Sequence, residues 1–194
     1  MKAKKSLGQN FLNSKKILGD IVRAGEVNAG DVVIEVGPGK GALTEALLRG
    51  GARVIAIEKD VELITFLKKN FSDEIKNKRL EIISGDVLNL KIENLKLKNN
   101  EYKVVANIPY YITGEIIRFF LENKMQPSSM TLLTQKEVTD RIVAREKKES
   151  ILSISVKVYG EPKYFGKVSA RYFSPKPKVD SAIISIKNIK NPFK

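Results

Sequence analysis

The chain contains no cysteine and no histidine. Without thiols there is neither a disulfide nor a thiolate nucleophile, and without imidazole there is neither a Ser-His-Asp triad nor a zinc site of the usual ligand types. What remains is carboxylate or lysine acid–base work, hard-metal chemistry, or a reaction in which a cofactor carries the activated group and the protein positions it. Long apolar runs are missing too. No window reaches the roughly 18 uninterrupted apolar residues of a membrane span, and the basic N-terminus leads into "SLGQNFLNSK", which has no apolar signal core. The expectation is a cytoplasmic chain with no membrane contact. Proline and glycine are scarce, at 7 and 13 of 194 residues, and 42% of the chain is hydrophobic, which predicts one main domain around one sizeable core.

Negative charge is also in short supply. Lysine and arginine number 35 against 22 aspartates and glutamates, for a formal charge of +13, which points to a polyanionic partner. The excess sits at the two ends. Residues 1–23 hold Lys2, Lys4, Lys5, Lys15, Lys16 and Arg23 against Asp20, and the stretch from Gly160 holds Lys163, Lys167, Arg171, Lys176, Lys178, Lys187, Lys190 and Lys194 against Glu161 and Asp180. A nucleic-acid surface fits this distribution better than an evenly solvated lysine coat.

Between those ends the chain alternates. A short helix capped by Asn13-Ser14 carries Ile17, Leu18, Ile21 and Val22 and stops at Gly25. "DVVIEVG", "ARVIAIE", "LEIISGD", "KVVAN" and "SMTLLTQ" read as buried strands. "GALTEALLRGG", "DVELITFLKKNF", "GEIIRFFLEN" and "QKEVTDRIVA" read as the helices among them. Asp60 is the expected N-cap of the second of these helices, Gly50 the stop of the first, and Thr113 the cap of the third. Thr134 with Glu137 forms a capping box for the fourth. This alternation predicts a doubly wound α/β fold with a mostly parallel sheet. From Ser150 onward "ILSISVKVYG" and "SAIISIK" alternate at period two and read as an antiparallel edge.

The turn "IEVGPGKGALTE" joins the first of those strands to its helix, where an open α/β sheet binds a nucleotide or its analogue. Lys40 is followed by Gly41 rather than Ser or Thr, so the phosphate loop of NTPases does not fit. A dinucleotide fingerprint would need glycine at Ala42. The pattern from Glu35 through Gly37, Gly39 and Gly41 instead resembles the loop that cradles S-adenosylmethionine in Rossmann-like methyltransferases. Glu58, ending the next strand, is placed to accept the hydroxyl protons of a ribose. Asp86 in "SGDV", followed by Val87, is placed for an adenine amino group. Both acids also have a plainer reading as strand-end or helix-capping residues.

"VVANIPYYITG" interrupts a strand with Asn107, Ile108, Pro109 and Tyr110 at the carboxyl end of the sheet. The amino nitrogen of adenine is a poor nucleophile because its lone pair is delocalised into the ring. Two acceptors for its protons favour a more pyramidal and more reactive geometry. Asn107 Oδ1 and the carbonyl of Ile108 or Pro109 are the candidates, with Pro109 fixing the backbone that aims them. Tyr110, rather than Tyr111, is expected to offer a face for an extruded base. A displacement at a sulfonium needs alignment more than proton transfer, which suits a chain without histidine.

"KKSLGQNFL", "EVGPGKGALT", "VIAIEKD", "GDVL", "NIPYYIT", "QKEVTDRIVA" and "FSPKPKVDSA" together resemble the rRNA adenine N6-dimethyltransferases of the KsgA type, from Lys4 to about Ile186. The resemblance implies a Rossmann-like class I methyltransferase that uses S-adenosylmethionine to dimethylate two adjacent adenosines near the 3′ end of small-subunit rRNA, acting on a pre-30S particle as a monomer. It implies that Asn10 and Leu12 close over the cofactor, that Gly37 lies against its methionine part, and that Phe173 clamps the target base opposite Tyr110. It also implies a helix over 151–159, against the period-two reading, and the helix is preferred. The catalytic domain is expected over 1–188 with a short tail at 189–194 and without the family's helical C-terminal domain. Erm-type enzymes, which methylate large-subunit rRNA, share these motifs and are the nearest alternative. A ribosome-assembly factor whose methylation is secondary, and methylation of a protein glutamine amide, are the others.

Overall fold

A computed structural model of the chain describes residues 3–4, 7–144 and 149–193. Lys2, Lys5 and Lys194 of the basic ends lie outside the described residues. The short strand β1 (Phe11–Leu12) precedes α1 (Lys15–Ala24), after which β2 (Val32–Val36), α2 (Ala42–Arg49), β3 (Arg53–Glu58), α3 (Val61–Asn70), α4 (Ser72–Lys76) and β4 (Leu80–Ser84) follow in alternation. The second half runs β5 (Tyr102–Asn107), α5 (Thr113–Glu122), β6 (Ser129–Gln135), α6 (Lys136–Ile142), α7 (Ile151–Tyr159), β7 (Glu161–Val168), β8 (Phe173–Ser174) and β9 (Ser181–Lys187). Seven strands form one sheet in the order β4-β3-β2-β5-β6-β9-β7. The first five are parallel, and β9 and β7 close it as an antiparallel edge. β1 and β8 form a separate antiparallel pair.

Successive side chains of a strand point to opposite faces, so both faces of this sheet must be covered. Ile34, Ile55 and Val104 face one way and pack with Ile116, Ile117 and Phe120 of α5 and Val156 of α7. Val33, Val54 and Val105 face the other way and pack with Ile17 and Ile21 of α1, Leu43 and Leu47 of α2 and Leu67 of α3. Magnitudes show what holds α5 in place. It has no side-chain cap at its N-terminus, a loss of about 1 kcal/mol. Ile116, Ile117 and Phe120 are completely buried, and each contributes roughly 1.5–3 kcal/mol relative to exposure.

The sheet opens where the site will form. The chain builds outward from β2 through β3 to β4, then returns to lay β5 on the other side of β2, which makes β2/β5 the switch point of the topology. There β2 and β5 pair only as far as Ile34↔Val104, while β2 stays paired to β3 as far as Val36↔Ile57 and β5 to β6 as far as Asn107↔Leu133. The carboxyl ends of the two strands are therefore held from outside and parted from each other.

Several local expectations change. Ser14, Asp60 and the stops at Gly25 and Gly50 stand as read. Thr113, however, is the first residue of α5, and its hydroxyl donates to the Tyr110 carbonyl at 3.1 Å instead of capping the helix. Thr134 forms no capping box with Glu137. Its hydroxyl pairs with that of Thr139 at 2.7 Å, and α6 starts only at Lys136. The period-two stretch at 151–159 is a helix, begun by a reciprocal Ser150/Ser153 capping box. The edge strand next to β9 is instead β7, which carries Pro162 and a register shift between Tyr164 and Gly166. An edge strand tolerates both.

Candidate active site

The glycine turn follows β2 directly. Gly37 and Gly39 have φ of +66° and +59°, a region in which a side chain is strained. A Cβ on Gly37 would meet no atom within 4 Å, so its backbone faces open space, whereas one on Gly39 would come within 3.1 Å of the Phe11 ring. Below the turn, Glu35 is buried and accepts the Thr44 hydroxyl at 2.6 Å. Burial pushes its carboxyl up to about 8, against the lowering effect of that hydrogen bond.

Glu58, at the end of β3, looks across at the same turn. Its Oε2 accepts the Gly39 N–H at 3.2 Å, and its Oε1 accepts the N–H groups of Lys59 and Asp60, both at 2.9 Å. Burial raises its carboxyl above the usual range although these three donors favour the anion. Asp86 follows β4. It caps a short turn by accepting the Leu88 N–H at 3.1 Å, and Lys59 Nζ lies 3.6 Å from its other oxygen.

Asn107 ends β5 and faces the turn across the parted strands. Its Nδ2 donates to the Asn10 carbonyl at 3.2 Å, and the acceptor end of the amide, Oδ1, takes no part in that bond. Pro109's carbonyl accepts the Ile112 N–H at 3.3 Å, closing a single helical turn over Tyr110–Ile112. Tyr110 is half-buried and shares a 2.7 Å hydrogen bond with the hydroxyl of Ser181, the fully buried first residue of β9. Burial holds its phenol above the ordinary value, opposed by that bond and reinforced by Asp180. Tyr111, by contrast, is 58% exposed.

One cavity is lined by Asn10, Leu12, Glu35, Gly37, Gly39, Glu58, Asp86, Val87, Asn107, Ile108, Pro109 and Tyr110 together. Two expected residues lie elsewhere. Gly41 caps α2 at φ +82°, and a Cβ there would sit 2.5 Å from the Phe71 ring and 2.9 Å from Leu67. The absence of a side chain there lets α2 pack closely against α3. Phe173 is 5% exposed, pairs with Leu12 across β1 and β8, and packs into the core below the cavity. Tyr111 lines the cavity as well as Tyr110, the expected aromatic. Lys4, Gln9 and Ser181 fall within quoted motifs but received no role of their own, because their partners lie 51 to 71 residues away.

The donor set fits S-adenosylmethionine. Open backbone at Gly37, a buried carboxylate and a second, more exposed one along the cavity wall, and apolar walls from Leu12, Ile57 and Val87 suit an adenosine-bearing cation. Among the described residues no cluster of carboxylates could hold a metal ion, and no helix is long and apolar enough to cross a membrane.

A sheet that splits at its switch point under a glycine turn and ends in an antiparallel hairpin of strands is the arrangement of the class I methyltransferase fold, and the solved structures that superpose on it share it. A family model described as "Ribosomal RNA adenine dimethylase" matches residues 1–194, and the chain belongs to that family. It is 45% identical over 186 residues to the ribosomal RNA small subunit methyltransferase A of Dehalococcoides mccartyi strain BAV1, covering 96% of this chain and 63% of that relative's length. It is similar to the crystal structure of the 23S rRNA methyltransferase ErmE, with a TM-score of 0.83 at 29% identity over 95% of this chain and 72% of that one. The dimethyladenosine transferase of Plasmodium falciparum superposes with a TM-score of 0.78 at 30% identity, over 91% of this chain and 62% of that one.

Proposed function

We propose that this chain binds S-adenosylmethionine and methylates N6 of adenosine in ribosomal RNA, with two adjacent adenosines near the 3′ end of small-subunit rRNA as its target. The observation that carries the reading is the Asn107 amide, at the mouth of the parted strands, with Nδ2 committed to the Asn10 carbonyl and Oδ1 free to accept. The cofactor supplies an electrophilic methyl group on a sulfonium. Everything else is positioning. Glu58 holds the ribose, Asp86 the adenine edge, and Gly37 and Gly39 let the backbone approach the methionine part, with Asn10 and Leu12 above it.

On the substrate side, Pro109's carbonyl takes the Ile112 N–H into the helical turn, which favours the Ile108 carbonyl as the second acceptor for the amino protons. With both protons held, the nitrogen lone pair turns toward the methyl carbon. The alkylated nitrogen is acidic and releases its proton to water, so no imidazole is required. Tyr110, fixed through Ser181, stacks on the extruded base, a contact of about 1–3 kcal/mol.

Residues 1–188 form the catalytic unit of this reaction, acting as a monomer on a pre-30S particle in the cytoplasm. The relative named for the small ribosomal subunit is 45% identical and the structure named for 23S rRNA 29% identical, which favours the small-subunit target. The test is mass analysis of nucleosides from unmethylated small- and large-subunit particles incubated with the chain and S-adenosylmethionine. Dimethyladenosine in small-subunit RNA is expected. Modification confined to large-subunit RNA would move the assignment to the Erm-type reaction, and binding without any methylated adenosine would leave an assembly factor.

A further inference from the structure

The segment before α1 crosses the cavity and touches both of its sides. Phe11 lies against Gly39 of the glycine turn, with Lys40 Nζ 4.8 Å from the ring centroid. Gly8, at φ +60°, packs so closely on the target side that a Cβ would come within 3.0 Å of the Tyr111 ring and 3.4 Å of Pro109. Between them, the Asn10 carbonyl receives the Asn107 amide.

What seats this segment is Asp60. It is 5% exposed and lies two residues past Glu58, which accepts its N–H. As N-cap of α3 it needs one oxygen, and Oδ1 accepts the Glu62 N–H at 3.1 Å. Yet Oδ1 also takes Lys4 Nζ at 2.8 Å, and Oδ2 takes Gln9 Nε2 at 3.0 Å. The other end of the Gln9 amide accepts the Lys4 N–H at 2.8 Å. A serine or asparagine would cap the helix equally well, so capping does not account for a buried carboxylate that gathers two side chains from the segment. Hydrogen bonds to a buried charge are the strong ones.

Resting on the methyl-transfer reading above, we propose that Asp60 is a positioning residue. Through Gln9 and Lys4 it seats residues 8–12 so that the Asn10 carbonyl holds the Asn107 amide with Oδ1 toward the target amine. One backbone turn, Glu58 to Asp60, thereby serves the cofactor with its first residue and the acceptor amide with its last.

The test compares the unmutated chain with D60N, Q9A and the double variant, each saturated with S-adenosylhomocysteine. Asparagine at 60 keeps the acceptor for Glu62 N–H, so α3 stays capped, but it cannot both cap and receive Gln9. The side-chain amide resonances of Asn107, assigned by their loss in N107D, are expected to shift in D60N and Q9A. In methyl transfer to unmethylated small-subunit particles, kcat is expected to fall about tenfold in D60N, the scale of one charge-assisted bond. KM for RNA is expected to hold, and the double variant to be no worse than D60N, because both changes break the same link. Unmoved Asn107 resonances in the double variant, an unchanged kcat, or effects that simply multiply would each overturn the proposal. A chain that transfers no methyl group would sink the functional reading instead, and the resonances would still decide this one.

Discussion

The two sides of the cavity are built differently. On the cofactor side, Glu35, Gly37, Gly39 and Glu58 lie within 24 residues of sequence, on two neighbouring parallel strands and the turn after the first, and the two acids bond to close neighbours in sequence: Thr44 to Glu35, and Gly39, Lys59 and Asp60 to Glu58. On the target side, Asn107 is oriented from 97 residues away by Asn10 and Tyr110 from 71 residues away by Ser181. One side is a βαβ unit that carries its own geometry. The other exists only once the ends of the chain have come to the sheet. The lesson is that the glycine turn and its two nearest acids are a local property of this fold, whereas the acceptor side is a global one.

The contrast can be broken most severely at Asn107. Replacing it with alanine removes the acceptor proposed for the reacting amine, so kcat should fall by about a hundredfold to a thousandfold. Calorimetric affinity for S-adenosylhomocysteine should change little by comparison. Equal losses in both would mean that the two sides are not separable.

Glu35 probes the local side through stability. Its carboxyl is raised from 4.5 to about 8, so between those values the folded chain keeps a proton that the unfolded chain has released. Its contribution to stability therefore falls as pH rises through that window and levels off above it. E35Q, which retains an acceptor for Thr44, should gain about 2–4 kcal/mol relative to the unmutated chain between pH 4.5 and pH 8 in urea unfolding. A constant difference across that range would show that Glu35 is not held neutral.

E58Q should weaken S-adenosylhomocysteine binding by about tenfold, the cost of exchanging a carboxylate acceptor for an amide. Transfer at saturating cofactor should stay within a few fold, since no group on the target side depends on that carboxylate directly. The smallest effect belongs to S181A. It frees the Tyr110 hydroxyl, and loss of one neutral hydrogen bond of about 1 kcal/mol should lower kcat/KM for RNA by a few fold while leaving cofactor affinity alone.

The same division explains what was legible in the sequence. "VVIEV", "RVIAIE" and "SMTLLTQ" are continuous apolar runs because their strands are covered on both faces, and they read correctly as central strands. The edge misleads. Ile151, Ile154 and Val158 lie exposed on α7 while Ser153 and Val156 are buried, so the apolar positions there do not mark the core and the alternation imitates a strand. β7 is hidden for the opposite reason, since Pro162 and Gly166 are residues that punctuate loops. Charge was legible only in bulk. Lys4, Lys16, Arg23, Lys167 and Lys187 are each paired with an acid, so much of the terminal excess is engaged within the molecule.

By itself the sequence determined the alternating fold, the glycine turn with its acids, and the Asn-Ile-Pro-Tyr strand end. Each depends on backbone preferences and residue types within a few positions of one another. Only the tertiary structure showed that Gly41 lies against Phe71, that Phe173 is buried, that Asp60 receives Gln9 and that Ser181 bonds Tyr110. These arrangements come from atoms brought within 4 Å by chain closure over tens of residues. Local propensity carries no information about such contacts.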